Sequence, residues 1–285
     1  MTAQLDAVER TALLTAALRA AETRRPDRLY TDPYAARLAG DIGPDLLAEV
    51  VEATFPPHRR RTLPSTPDYN AIRTRFFDDY LQDAARDPLT TQIVLAPAGM
   101  DSRAHRLAWP DRVRWFEVDR PSVLAYKDDR LGDAEPRVRH HKVAVDLTDP
   151  DWPDRLQDAG YDPTVPSTWL LEGLLYYIPE PDVHRILEQV SAVCAPGSRI
   201  AADVVNAAAL TLPSMRGLLE VFAGWGCPWL FGTDEPEALF DAYGFDVRAV
   251  QPGEEGADFG RWPDPVPPRS EREVRRVFFA HGRRR

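Results

Sequence analysis

The stretch Gln92 to Asp119, QIVLAPAGMDSRAHRLAWPDRVRWFEVD, restricts this chain more than any other. A short apolar run, Ile93-Val94-Leu95-Ala96, enters a turn of small residues, Pro97-Ala98-Gly99. A helix is expected from Asp101, and a second apolar run, Val113 to Val118, ends in acids. Strand, turn, helix and strand in that order are the first half of a nucleotide-binding α/β unit.

The chain downstream continues this grammar. Short β-rich runs at 92–96, 113–118, 142–146, 167–172, 199–205, about 244–250 and 274–281 alternate with expected helices. These helices fall at about 101–108, 121–131, 150–159, 180–194, 207–223 and 234–243. Such alternation requires a mostly parallel sheet covered on both faces. The last two runs are joined by a proline- and turn-rich link, which suits an antiparallel end to the sheet. Upstream, helices are expected at 3–22, from Asp32-Pro33 with Asp32 as cap, at 44–54 and at 68–86. The proline- and arginine-rich segment 56–67 reads as a solvated loop or a cover over a site. Two units are therefore expected: a helical cap over 1–88, and a core over 89–285 with a lid insertion at 206–233.

Charge and cysteine usage narrow the function. Forty-five acids against 35 bases give a net charge of −10, which argues against a nucleic-acid or anionic membrane partner. Only two cysteines are present, without metal-ligand spacing, so no metal site is expected and a reducing compartment fits. The N-terminal residues lack a signal-peptide pattern and no apolar run could span a bilayer, so the expectation is a cytoplasmic protein.

In open α/β sheets ligands sit beyond the carboxyl ends of the strands. There the sequence places the turn with Ala98 and Gly99, then Asp119, then Asp146 with Leu147, then Glu172. An acid after the second strand suits a ribose, because one carboxylate accepts from both hydroxyls. Asp146 would meet the exocyclic amine of adenine, and Glu172 would stand at the mouth beside the reacting group. The dinucleotide fingerprint G-x-G-x-x-G is absent, and Asp101 at a helix start would repel a diphosphate. S-adenosylmethionine carries an ammonium and a sulfonium and no phosphate, and matches better.

VLAPAGMDSRAHRL, with AIRTRFFDDYL before it and WFEVDRPSVLAYK, VAVDL and WLLEGLLYYIPEPDVHRIL after it, resembles the leucine carboxyl methyltransferase-like family of class I S-adenosylmethionine-dependent methyltransferases. The resemblance implies a Rossmann-like seven-stranded, mostly parallel sheet with an antiparallel final strand and an N-terminal helical cap. It further implies that Arg73 reaches the cofactor carboxylate, whereas Arg75 remains a surface group. Ala98 and Gly99 would lie under the methionine moiety, Asp119 on the ribose, Asp146 and Leu147 at adenine and Glu172 near the methionine end. Tyr177 would face the substrate, with neighbouring Tyr176 the weaker candidate. Pro97 stands where the family has its first glycine, which removes one amide donor from the turn.

The expected activity is O-methylation of a small lipophilic or aromatic metabolite, secondary metabolism being the natural setting. A carboxylate acceptor is favoured over a hydroxyl, because it needs no general base at neutral pH and neither His105 nor His140-His141 is a convincing one. The aromatic segment VFAGWGCPWLF at 221–231 would wall the substrate. The alternative is a non-catalytic or regulatory homologue that keeps the cofactor pocket.

Overall fold

The computed structural model describes residues 7–54, 66–262 and 265–285. Seven strands form one sheet in the order β3-β2-β1-β4-β5-β7-β6. They are β1 (Gln92–Leu95), β2 (Arg114–Asp119), β3 (Arg139–Ala144), β4 (Thr168–Leu171), β5 (Arg199–Val205), β6 (Phe245–Val250) and β7 (Val277–Arg284). β1 pairs in parallel with both β2 and β4, so it lies between its two neighbours at the centre of the parallel part. β7 runs antiparallel to β5 and to β6, which leaves six strands pointing one way. This is the class I methyltransferase arrangement expected above, antiparallel strand included.

The helices are α1 (Ala7–Thr23), α2 (Ala35–Ala39), α3 (Gly43–Thr54), α4 (Thr66–Arg86), α5 (Arg103–Arg106), α6 (Pro121–Leu131), α7 (Trp152–Asp158), α8 (Glu180–Val193), α9 (Arg216–Gly224) and α10 (Pro236–Asp241). Along β1 the pleat alternates: Ile93 and Leu95 pack under Ile72, Phe77 and Leu81 of α4, while Val94 and Ala96 face the opposite core with α7 and α8. A third apolar cluster joins α1, α2 and α3 to α6 and α9.

Several expectations move. β3 begins at Arg139, three residues before the expected run, because this edge strand is largely exposed and carries no continuous apolar signal. The helix expected over 207–223 breaks into short 3₁₀ turns before α9, with Pro213 opening one of them. Asp32 does not cap a helix starting at Pro33; α2 starts at Ala35. Asp32 accepts instead from the Tyr34 amide, from Arg19 and from Ser102. The 56–67 loop falls mostly outside the described residues. Both cysteines are buried free thiols, and burial pushes Cys194 up to about 12 and Cys227 to about 11. Among the described residues no helix is long and apolar enough to cross a membrane, and no cluster of metal-ligating side chains forms.

Candidate active site

Beyond the carboxyl ends of β1, β2 and β4 lies a cavity. Its floor is the turn Pro97-Ala98-Gly99, whose Ala96–Pro97 peptide is cis. The Ala98 amide donates to the Val118 carbonyl at 3.0 Å, which ties the turn to β2. Gly99 has φ +47, a region L side chains rarely adopt, and its amide donates to Asp119 Oδ2 at 2.6 Å. The other Asp119 oxygen accepts from the Arg120 amide at 2.7 Å. Each carboxylate oxygen retains a second acceptor site, so Asp119 can both fix the turn and receive a ligand. Burial raises its carboxyl above the ordinary value, against the two amides.

Three carboxylates, Asp101, Asp119 and Glu172, share this cavity with three arginines, Arg19, Arg73 and Arg103. Each arginine is committed to acids. Arg19 pairs with Asp32 at 2.9 Å and also donates to the Met100 carbonyl, fastening α1 to the turn. Arg103 joins Asp78 at 2.6 Å and Glu172 at 2.9 Å, and pairs with Asp101. Burial alone would raise Asp78, but Arg106 and Arg103 outweigh it and hold it below the usual range. Asp101, expected to repel a phosphate from a helix start, is thus tied to Arg103, and α5 behind it has only four residues. Neither the Asp101 charge nor a helix start therefore decides against a diphosphate here. The mixed lining suits a ligand that carries both a carboxylate and positive charge.

A second, more apolar cavity adjoins the first. Arg73, Tyr176 and Tyr177 line both and form the wall between them, with Thr11 and Thr15 of α1. Behind the wall, fully buried Asp203 of β5 collects four donors. Tyr69 and Arg73 Nη1 donate to its Oδ2 at 2.9 Å, Tyr176 at 3.2 Å, and the Gly173 amide to Oδ1 at 2.6 Å. Arg73 Nε also lies 3.0 Å from Glu172 Oε1. Burial opposes the charge on Arg73, but Asp203, Tyr69 and Glu172 overcome it and raise its pKa well above the ordinary value. Burial also raises all three tyrosines, so they stand as neutral hydroxyls.

The structure therefore brings Arg73, Ala98, Gly99, Asp119, Glu172 and Tyr177 around one cavity. It does not bring Asp146 or Leu147 to that lining: Asp146 accepts from the Thr148 amide and hydroxyl at 2.8 and 2.7 Å, and Leu147 packs in the core. Arg75 pairs with Asp79 on the surface, as its placement on α4 suggests. From the 221–231 segment, Phe222 and Trp229 line the second cavity. Asp203 and Tyr69 escaped the sequence reading. The one available signal was an acid inside an otherwise apolar strand, which has to be matched by donors in a folded protein. No histidine lines either cavity among the described residues.

The chain is similar to known proteins in sequence and in fold. The profile of the family described as leucine carboxyl methyltransferase matches residues 12–191. A Parafrankia sp. (strain EAN1pec) protein named as an S-adenosyl-L-methionine-dependent methyltransferase is 44% identical over 211 residues, covering 69% of this chain and 63% of that protein. A Mycobacterium marinum protein of the same description is 41% identical over 206 residues, with 69% and 63% covered. The chain thus spans less than two thirds of the length of these relatives. A crystal structure from Thermobifida fusca YX, described as a methyltransferase, superposes with a TM-score of 0.60 at 20% identity, covering 91% of this chain and 94% of that one. A DUF574 family protein from Streptomyces avermitilis MA-4680 gives 0.56 at 14%, with 95% and 97% covered. At these identities the two structures speak for the fold alone.

Proposed function

The chain belongs to the leucine carboxyl methyltransferase family, and from that premise we propose that it is an O-methyltransferase acting on a small lipophilic or aromatic metabolite in the cytoplasm, with a carboxylate oxygen as the favoured acceptor. The cofactor is S-adenosylmethionine, which when bound supplies a methyl group already activated on a sulfonium. The residues present fit it. The turn at Ala98 and Gly99 leaves room for close approach, Asp119 offers acceptor capacity for a ribose, and Arg73 with Glu172 faces the end that carries the amino acid. Asp146 and Leu147 keep the proposed adenine role only if the β3–α7 turn adjusts, since neither lines the cavity now.

The observation that carries the reading is the pair of cavities meeting at Arg73, Tyr176 and Tyr177. One is charged and turn-floored, the other apolar and aromatic, so a donor and an acceptor would meet across a shared wall. Holding two reactants in register supplies up to about 7–11 kcal/mol of a barrier. Burial keeps Tyr69, Tyr176 and Tyr177 protonated, and Tyr69 and Tyr176 donate to Asp203 behind the wall. With no histidine on either lining among the described residues, an acceptor that is already anionic at neutral pH suits the site better than an alcohol. On this reading Tyr177 Oη and Arg73 would orient such an oxygen, and the aromatic walls would keep water from it.

The test is incubation of the purified protein with S-adenosylmethionine and a panel of aromatic and lipophilic carboxylic acids, each beside its matched alcohol. S-adenosylhomocysteine and a methyl ester, detected by mass spectrometry, are expected with acids. Methylation of alcohols alone would overturn the carboxylate preference. Cofactor binding without turnover on any acceptor would favour a regulatory homologue.

A further inference from the structure

The second cavity contains two arginines beyond the shared Arg73, and they differ in a way that bears on the acceptor. Arg276 is buried and fully used by the chain. Its guanidinium donates to the carbonyls of Pro267 at 3.1 Å, Pro268 at 2.6 Å and Glu271 at 2.7 Å, and to Gln251 Oε1 at 3.3 Å. It straps the link between β6 and β7. Its neighbour Arg275 is half-buried and has no carboxylate partner among the described residues; its one hydrogen-bond contact is Nη1 to the thioether sulfur of Met215 at 3.7 Å. A thioether is a weak acceptor, so nothing among the described residues compensates the cation.

An uncompensated guanidinium on an apolar lining is costly unless a ligand supplies the counter-charge. The other arginines around the site show the contrast. The carboxylates beside Arg73, Arg103 and Arg106 raise those groups despite burial. Burial lowers Arg275, and among the described residues the Tyr69 hydroxyl alone opposes it. A second unmet polar atom lines the same cavity: Asn70 Oδ1 is buried and has no hydrogen-bond partner among the described residues. Around these two groups the walls are aromatic or aliphatic, including Tyr69, Phe222, Trp229 and Trp262.

We infer that Arg275 is an anion anchor for the methyl acceptor: the acceptor is an amphipathic acid whose ring or chain fills the aromatic cavity while an anionic group, separate from the oxygen that receives the methyl, pairs with the Arg275 guanidinium. The separation follows from placement. Arg275 lines only the second cavity, whereas the methyl must cross at the wall of Arg73, Tyr176 and Tyr177. Asn70 Oδ1 is the acceptor for a hydroxyl or amide N–H on the same molecule. This inference rests on the methyltransferase reading, because it assigns the second cavity to the acceptor.

Titration calorimetry with 2-naphthoate and its neutral isostere 2-naphthamide, in saturating S-adenosylhomocysteine, tests it. The protein is expected to bind the naphthoate at least about tenfold more tightly, as a charge-assisted pair implies. Arg275→Gln removes that preference and Arg275→Lys retains part of it. Both variants keep the wild-type affinity for S-adenosylhomocysteine, which also reports that they are folded. Equal affinity for the two probes, failure of both to bind, or a preference that survives Arg275→Gln overturns the anchor. Failure of the unmodified protein to bind S-adenosylhomocysteine overturns instead the cofactor reading on which the anchor stands.

Discussion

Asp203 has no exposed surface and accepts from Tyr69, Arg73, Tyr176 and the Gly173 amide, so it sets the wall between the two cavities from behind. Removing one partner of a buried charge pair leaves the other uncompensated, which typically costs about 3–5 kcal/mol. Asp203→Ala is therefore expected to destabilise the fold by that amount in urea unfolding, and Asp203→Asn by less, since it keeps one oxygen acceptor. At the turn the expected losses concern the ligand. Gly99→Asp places a Cβ at a positive φ and a charge on the cavity floor; Asp119→Ala strips the acceptor from two amides. Each should weaken S-adenosylhomocysteine binding about tenfold or more by calorimetry. Wild-type affinity in both variants would refute the cofactor site.

Whole elements were more legible than single residues. β1, β2, β4 and β5 are buried apolar runs and read directly from composition, as does the apolar stripe of α4. β3 misled because Arg139, His140 and His141 look like a loop until β2 pairs with them. Asp203 was hidden for a related reason: its partners lie 27 to 134 residues away and no local pattern marks them. Between β2, β3, α5 and α6 sits another cluster of this kind. Lys127 Nζ lies 2.7 Å and His140 Nε2 3.3 Å from Glu117 Oε2. Burial opposes the Glu117 charge, yet Lys127 and His140 hold it down to about 2. His105, packed against His140 and Tyr34, is lowered to about 4 by burial, with Lys127 and His140 assisting and Glu117 and Asp101 opposing. A depressed histidine is neutral in the fold but protonates in the unfolded chain near 6.5. The sign follows: the unfolded state binds the extra proton, so stability is complete above about 6.5 and falls as pH drops toward about 4. His281, lowered to about 4 by burial and Arg248, acts in the same window. Melting temperature is expected to decline over that range, and less steeply in His105→Gln. A decline of unchanged steepness in the variant would remove His105 from the account.

On the scale of the molecule, the helices before β1 complete both the core and the site. Ile72, Phe77 and Leu81 of α4 are fully buried with Ile93, Leu95, Trp115 and Phe279 of the sheet. At about 1.5–3 kcal/mol per buried side chain, those three contribute roughly 5–9 kcal/mol, comparable to the net stability of a typical protein. α1 supplies Thr11, Thr15 and Arg19, and α4 supplies Arg73, so the same helices form part of both cavity linings. We propose that residues 1–88 act as a cap that cannot be detached without loss of the core it covers. The fragment 89–285 exposes the α4-facing side of the sheet and retains neither the wall arginine nor its pairs with Glu172 and Asp203. Expressed alone, it is expected to bind an apolar dye, to unfold without a sharp transition and to show no calorimetric heat with S-adenosylhomocysteine. Addition of separately produced 1–88 should restore part of that binding if the interface alone is what the fragment lacks. A fragment that unfolds cooperatively and binds S-adenosylhomocysteine with the affinity of the whole chain would make the cap a separable domain and leave Arg73 without a part in holding the cofactor.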